Sequence, residues 1–218
     1  LYAQSINYTF ALDDVAVVKG NKFVHKGFAG IGDILHTFYW AGFWETNAGL
    51  FRPLSLILFA IEWAFAPDKP AFFHFTNVLL YAVCSFLMYK TLRELLRDLS
   101  PVLAFGATLL WIVLPAHTEV VANVKSADEI LSVIFFFMMM RRLLKWSESK
   151  GIKDLCLSAL WLFLSLLSKE GALLFLPIAF LALYMFRKEE LKNMIKPAGV
   201  LGTVTGIWYF WHWWVISH

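Results

Sequence analysis

Apolar residues dominate long stretches of this 218-residue chain, and proline or charge ends most of them. A membrane helix needs about 20 apolar residues, with about 17 to 25 tolerated. Six stretches fit that length wholly or in part: 72 to 90, 102 to 116, 127 to 144, 154 to 168, 171 to 187 and 197 to 216. Residues 1 to 10 read as the exit of a further helix. The run from 155 to 186 is broken only by Lys169 and Glu170; as one helix it would reach about 48 Å, well past an apolar thickness of about 30 Å. Two short spans are therefore expected, with Lys169 and Glu170 between them at an interface.

The first third has a different pattern. Residues 11 to 52 mix apolar positions with Asp13, Asp14, Lys19, Lys22, His25, Lys26, Asp33, His36 and Glu45, which predicts a large loop outside the membrane. Aromatic residues at helical spacing from Ile31 to Trp44 predict a helix lying in the interface, where Trp and Tyr are favoured. Pro53 to Pro67 carries Glu62 and is bounded by prolines. It is marginal in length for a crossing and is read as a second interfacial or re-entrant helix. The expected architecture is all-α and polytopic, with six to seven membrane helices. Residues 1–218 form one membrane domain fragment, with a first outer loop over 11–71 and a helix bundle over 72–218.

Composition agrees with a bilayer as solvent: 60% of residues are hydrophobic, 17% aromatic and only 16% charged, against about 25% charged in soluble domains. The net charge of +3 gives no basis for nucleic-acid binding. Its distribution is more informative. Three connections, Lys90 to Arg97, Arg141 to Lys153 and Arg187 to Lys196, hold 12 of the 19 Lys and Arg residues. The positive-inside rule places all three in the cytoplasm and the remaining connections on the opposite face. Cys84 and Cys156 lie in apolar runs and suggest neither a disulfide framework nor a metal knuckle.

Charge on that opposite face is sparse and clustered. Asp13 and Asp14 are adjacent carboxylates near a low-dielectric boundary; mutual repulsion raises one pKa, which suits a general base or a metal ligand, although a solvated turn has the same composition. LPAHTEVVANVKSADEIL supplies His117, Glu119, Asn123, Lys125, Asp128 and Glu129. The His-x-Glu spacing suits a phosphate-bound metal or a positioned hydroxyl. Asp128 and Glu129 equally suit a helix N-terminus, and Lys125 with Glu129 an i, i+4 pair. Arg52, His74, Lys169 and Glu170 complete the set. Carboxylates beside Arg, Lys and His suit a hydroxyl nucleophile and an anionic lipid phosphate as leaving group. No metal site is assigned, and the cofactor is left open, with a divalent metal as the minor alternative.

The succession ALDD, FRPL, FHFTNVLLY, LPAHTEVVANVKSADEIL and LLSKEG, from Tyr8 to Gly171, resembles the N-terminal membrane half of the transmembrane and tetratricopeptide-repeat-containing O-mannosyltransferases and their bacterial relatives, members of the GT-C glycosyltransferases. Departures are Ala116 after the proline, and Lys125–Ser126 where Gly-Arg is common. The resemblance implies a GT-C-like fold and inverting transfer of a hexose such as mannose from a polyprenyl-phosphate donor to a hydroxyl of an acceptor protein. It implies a multi-pass protein of the bacterial inner or endoplasmic reticulum membrane, with its site on the periplasmic or lumenal side and a helical repeat downstream. Asp13 is then the expected base and Asp14 its partner. Arg52, His74, His117, Lys125, Asp128 and Lys169 surround donor or acceptor, and Glu119 and Glu170 orient them. The rival readings are a transporter or lipid flippase using Lys169 and Glu170 as coupling groups, and a membrane scaffold.

Overall fold

The computed structural model describes residues 1–217, and among them the regular structure is entirely helical. The α-helices are α1 (Ile31–His36), α2 (Pro53–Phe65), α3 (Pro70–Leu95), α4 (Pro101–Ile112), α5 (Ala116–Ala122), α6 (Ala127–Ser149), α7 (Ile152–Ser168), α8 (Phe175–Arg187) and α9 (Leu191–Ser217). Proline opens α2, α3 and α4 at their first helical position, where its missing N–H costs no hydrogen bond. Pro115 divides α4 from α5 by its ring and its missing donor, and the two helices meet at 68°.

By length and composition, two helices qualify as membrane spans, Pro70–Leu95 and Glu170–Arg187, and the bent pair Pro101–Ile112 with Ala116–Ala122 makes a third if taken as one span. That is fewer than the six to seven expected. Charges at both ends of α6 shorten its apolar stretch, α7 has only 17 residues, and Gly, Trp and His dilute α9. The exterior is nevertheless that of a membrane-associated chain. Phe75, Leu79 and Phe86 on α3, Leu103, Phe105 and Leu110 on α4, Ile178, Leu181 and Met185 on α8, and Ile207, Phe210 and Trp213 on α9 all face outward, far more apolar surface than a water-soluble exterior carries.

The bundle is centred on the antiparallel pair α6 and α7. Lys150, in the left-handed conformation at φ 52°, closes α6 and reverses the chain. Small residues let the helices approach: Ser165 Oγ donates to the Ser132 carbonyl at 2.7 Å, with the two hydroxyls 3.2 Å apart, both buried. In lipid such bonds contribute about 0.6 kcal/mol each, so close packing carries most of the cohesion. Leu143, Leu155, Leu162, Leu166, Leu183 and Leu201 fill the core shared with α8 and α9.

The three basic connections meet at one end of this bundle. Arg187 lies 3.0 Å from Glu148, which also pairs with Arg97, and its guanidinium donates to the Glu94 carbonyl at 2.9 Å. Arg141 lies 3.6 Å from Glu94, Arg142 3.1 Å from Asp154 and Lys150 2.6 Å from Glu189. The 23 residues of α6 carry the chain about 34 Å from this end to Ala127, close to the apolar thickness of a bilayer of about 30 Å.

The loop departs from expectation in one place. The helix expected over Ile31 to Trp44 ends at His36, because Thr37 is extended (φ −128°, ψ 153°) and the Tyr39 N–H donates to the Leu50 carbonyl at 2.8 Å. Tyr39 and Trp40 are thereby turned inward to pack with Val17, Val18, Val24, Ile34 and Phe59. Tertiary burial of these aromatics outweighs the helical spacing. At 13 residues α2 spans about 20 Å, too little for a crossing, and it buries Leu56, Phe59 and Glu62 beneath the loop. Near the start, where a helix exit was expected, Ala3–Asn7 forms a short 3₁₀ helix, with Tyr2 edge-on to Tyr81 of α3 at 5.2 Å.

Candidate functional site

At the end of α6 away from the basic connections, Asp128 of SADEIL and Glu170 of LLSKEG converge on Arg52 of FRPL. The guanidinium Nε donates to Glu170 Oε2 at 2.8 Å, Nη2 donates to Glu170 Oε1, and Nη1 donates to Asp128 Oδ2 at 2.8 Å. Tyr39 lies beneath it at 5.4 Å. Arg52 is positioned as the residue before Pro53, Asp128 by the first turn of α6, and Glu170 by the break after α7, where Lys169 is extended (φ −158°, ψ 135°). Asp128 is completely buried and the Arg52 side chain is 7% exposed. A charge so placed is tolerated only when paired.

Two lysines extend the network. Lys125 Nζ is 3.7 Å from Asp128 Oδ2, rather than in the i, i+4 pair with Glu129 that its spacing suggested. Glu129 instead accepts from Lys169 Nζ. Asp128 Oδ1 also accepts the Glu129 N–H at 2.7 Å. Arg52, Lys125 and Lys169 thus balance Asp128, Glu129 and Glu170.

Asp13 and Asp14, adjacent in sequence, have opposite environments. Asp14 is 1% exposed: Oδ1 accepts the Lys125 N–H at 2.8 Å, and Oδ2 the Ala11 N–H at 3.2 Å. It therefore ties the first loop to the segment leading into α6. Burial pushes its carboxyl above the usual range, and the backbone N–H bonds of Lys125 and Ala11 only partly offset this. Asp13 is exposed. Just before them Leu12 takes a left-handed backbone conformation (φ 49°), which costs a leucine about 1–2 kcal/mol and turns the chain sharply here.

His117 occupies a neighbouring site. Pro115 cannot supply the N–H that would bond the Trp111 carbonyl four residues back, and His117 Nδ1 fills that place at 2.7 Å, 3.0 Å from the Tyr81 hydroxyl. A proton on Nδ1 leaves Nε2 as the acceptor nitrogen. His117 and Glu129 supply polar groups to an otherwise apolar cavity of about 290 Å³ bounded by Tyr81, Trp111, Phe136 and Phe175. His74 is buried and edge-on to Tyr8 at 6.1 Å, with no hydrogen-bond partner on either ring nitrogen among the described residues. Glu119 is exposed on α5.

Asp14, Arg52, Lys125, Asp128, Lys169 and Glu170 are thus brought together. His117 shares the apolar cavity with Glu129 without joining the ion pairs, and Glu119 lies outside the network. Tyr39 and Asn77 carry structure that sequence reasoning left unassigned, and Glu129 pairs with Lys169 where Lys125 was the expected partner. Asn77 Nδ2 donates to the carbonyls of Asn123 at 2.9 Å and Val124 at 3.3 Å, fixing the approach to α6. Its presence in FHFTN was the available signal. Among the described residues no group of three or more His, Cys, Asp or Glu side chains has a geometry suited to a metal ion.

An all-helical, membrane-associated chain that buries a balanced ion-pair network beside an apolar cavity narrows the class. Its relatives narrow it further. It is 31% identical over 156 residues to human protein O-mannosyl-transferase TMTC3 (69% of this chain, 16% of that protein). It is 28% identical over 175 residues to Drosophila melanogaster protein O-mannosyl-transferase Tmtc1 (79% and 20%). It is 26% identical over 203 residues to Caenorhabditis elegans protein O-mannosyl-transferase F38B6.6 (89% and 28%). The chain is thus similar to a set of TMTC proteins, and it spans less than a third of their full length. No protein-family model and no solved structure matches it.

Proposed function

We propose that this chain is the membrane part of an inverting GT-C glycosyltransferase that moves a hexose, mannose in the first instance, from a polyprenyl phosphate to a hydroxyl of an acceptor protein on the non-cytoplasmic face. The observation that carries the reading is the buried Arg52–Asp128–Glu170 network, about one bilayer thickness from the basic end of the bundle and next to an apolar cavity. The names of the curated relatives support the same chemistry.

In this reading the isoprenyl chain lies against Tyr81, Trp111, Phe136 and Phe175, and the cationic groups face the donor phosphate. The acceptor oxygen attacks the anomeric carbon as the carbon–oxygen bond to phosphate breaks. The proton passes to Asp13, and the electron pair leaves with the polyprenyl phosphate. One displacement inverts the configuration. Exposure suits Asp13 to meet an acceptor, while Asp14, held by two backbone N–H groups, fixes the loop that presents it. The loop of residues 11–71 and the bundle of 72–218 would then act as one unit, in a multi-pass topology with more spans than length and composition alone select.

The test is transfer by the full-length protein from mannosyl-phosphoryl-polyprenol. A general base contributes about 10²–10⁴-fold, so Asp13→Asn should lose at least about 100-fold in turnover while remaining folded. Undiminished transfer by both Asp13→Asn and Asp14→Asn sinks the assignment. A cysteine at position 13 that is labelled only from the cytoplasmic side would favour the transporter reading instead.

A further inference from the structure

The Lys169–Glu129 ion pair carries an inference that rests on the donor reading above. We infer that Glu129 is an exchangeable counter-ion, holding Lys169 while the site is empty and yielding it to the phosphate of an incoming polyprenyl phosphate.

The network as it stands has no cation to spare. Arg52 uses Nε, Nη1 and Nη2 on Glu170 and Asp128, and Lys125 lies against the same Asp128 carboxylate. An anion binding here must displace a carboxylate already in place. Asp128 is 0% exposed and accepts from Arg52, so displacing it would leave a buried carboxylate without its guanidinium. Glu170 is held by two bonds from a planar guanidinium, a geometry that favours retention. Glu129 has the most exposed carboxylate of the three, at 43%, and its partner is a flexible lysine that is itself 22% exposed. An ion pair of this exposure is worth a factor of about five at most.

Position adds to the argument. Glu129 lines the apolar cavity together with His117, so its bond to Lys169 sits where a lipid tail would give way to its headgroup. Glu129 also belongs to the first turn of α6. A carboxylate released there still faces the positive end of a helix. The exchange moves no covalent bond: one anion on the Lys169 ammonium replaces another. Glu129 is accordingly a positioning residue, distinct from the groups that contact the reacting carbon.

The experiment titrates undecaprenyl phosphate into the full-length protein in detergent, following tryptophan fluorescence, to which Trp111 in the cavity wall contributes. Glu129→Gln and Glu129→Ala are expected to bind about two- to fivefold more tightly than wild type. Lys169→Met is expected to weaken binding and to abolish the gain when combined with either. Glu45→Gln, which removes an equal charge at an exposed loop position, is expected to change nothing. Unchanged or weaker binding by both Glu129 variants, or a gain that survives Lys169→Met, overturns the inference while leaving the donor reading intact. Failure of the wild type to prefer undecaprenyl phosphate to undecaprenol overturns the donor reading, and the inference with it.

Discussion

Replacing Arg52 with methionine is the most demanding perturbation of this structure, because it strands Asp128 without its guanidinium at 0% exposure. Removing one member of a buried ion pair costs about 3–5 kcal/mol. The Glu170 contact adds less, about 0–1 kcal/mol, since that side chain is 33% exposed. Loss of the guanidinium above Tyr39 adds about 0.5–1 kcal/mol. Lys125, only 3.7 Å from Asp128, recovers part of the loss by closing on it. The expected net cost is about 4 kcal/mol, or a fall in Tm of about 8–16 °C for a chain of this size. Thermal unfolding in detergent micelles reads it. Asp128→Asn alone should cost less, because Arg52 keeps Glu170. The double variant should cost at least about 2 kcal/mol less than the sum of the singles, since it leaves no uncompensated carboxylate at position 128. An Arg52→Met variant within about 1 kcal/mol of wild type, or single costs that add to within about 0.5 kcal/mol, would refute the claim that these two charges support each other.

Two further predictions concern the loop. Burial pushes the Glu62 carboxyl up to about 8, so between pH 4.5 and 8 the unfolded chain releases a proton that the folded chain retains. Stability therefore falls as pH rises through that window, by at most about 1.4 kcal/mol per pH unit. Unfolding curves of wild type and Glu62→Gln should accordingly shift in favour of the glutamine variant as pH rises, and a difference that stays flat from pH 5 to 8 contradicts the burial. At Gly42 a Cβ would lie 2.0 Å from Asn21 Oδ1, the oxygen that accepts the N–H groups of Phe23 at 3.0 Å and Val24 at 3.2 Å. Gly42→Ala should cost about 2–3 kcal/mol by breaking both bonds. The same change made in an Asn21→Ala background should cost under about 1 kcal/mol; equal costs in both backgrounds would assign the loss elsewhere.

Much of the helical framework was legible from local pattern. Apolar run lengths, ended by Pro70, Pro101, Pro115 and the basic clusters, located α3, α4 and α6 through α9, because those signals act over the same short range as the helix they end; α5 formed in what the pattern marked as a connection. The break at Lys169 and Glu170 followed from length alone: a continuous helix there would overshoot the bilayer. Local pattern failed over Ile31 to Trp44, where aromatic spacing suited a helix but the packing of Tyr39 and Trp40 against α2 and the loop core prevailed.

The candidate residues divide in the same way. Their identities and chemical types were readable, since scarce charge in an apolar chain stands out. Their pairing was not. Arg52 meets Asp128 across 76 residues and Glu170 across 118, and nothing in the order of residues distinguishes Asp128 paired to Arg52 from Asp128 resting at a helix end. Adjacent Asp13 and Asp14 look alike as letters; only the approach of the Lys125 backbone buries one and leaves the other open. Composition determined the solvent in which this chain folds and where its helices run. The tertiary structure alone decided which charges neutralise one another, because burial and distance set their energies and neither is a property of neighbouring letters.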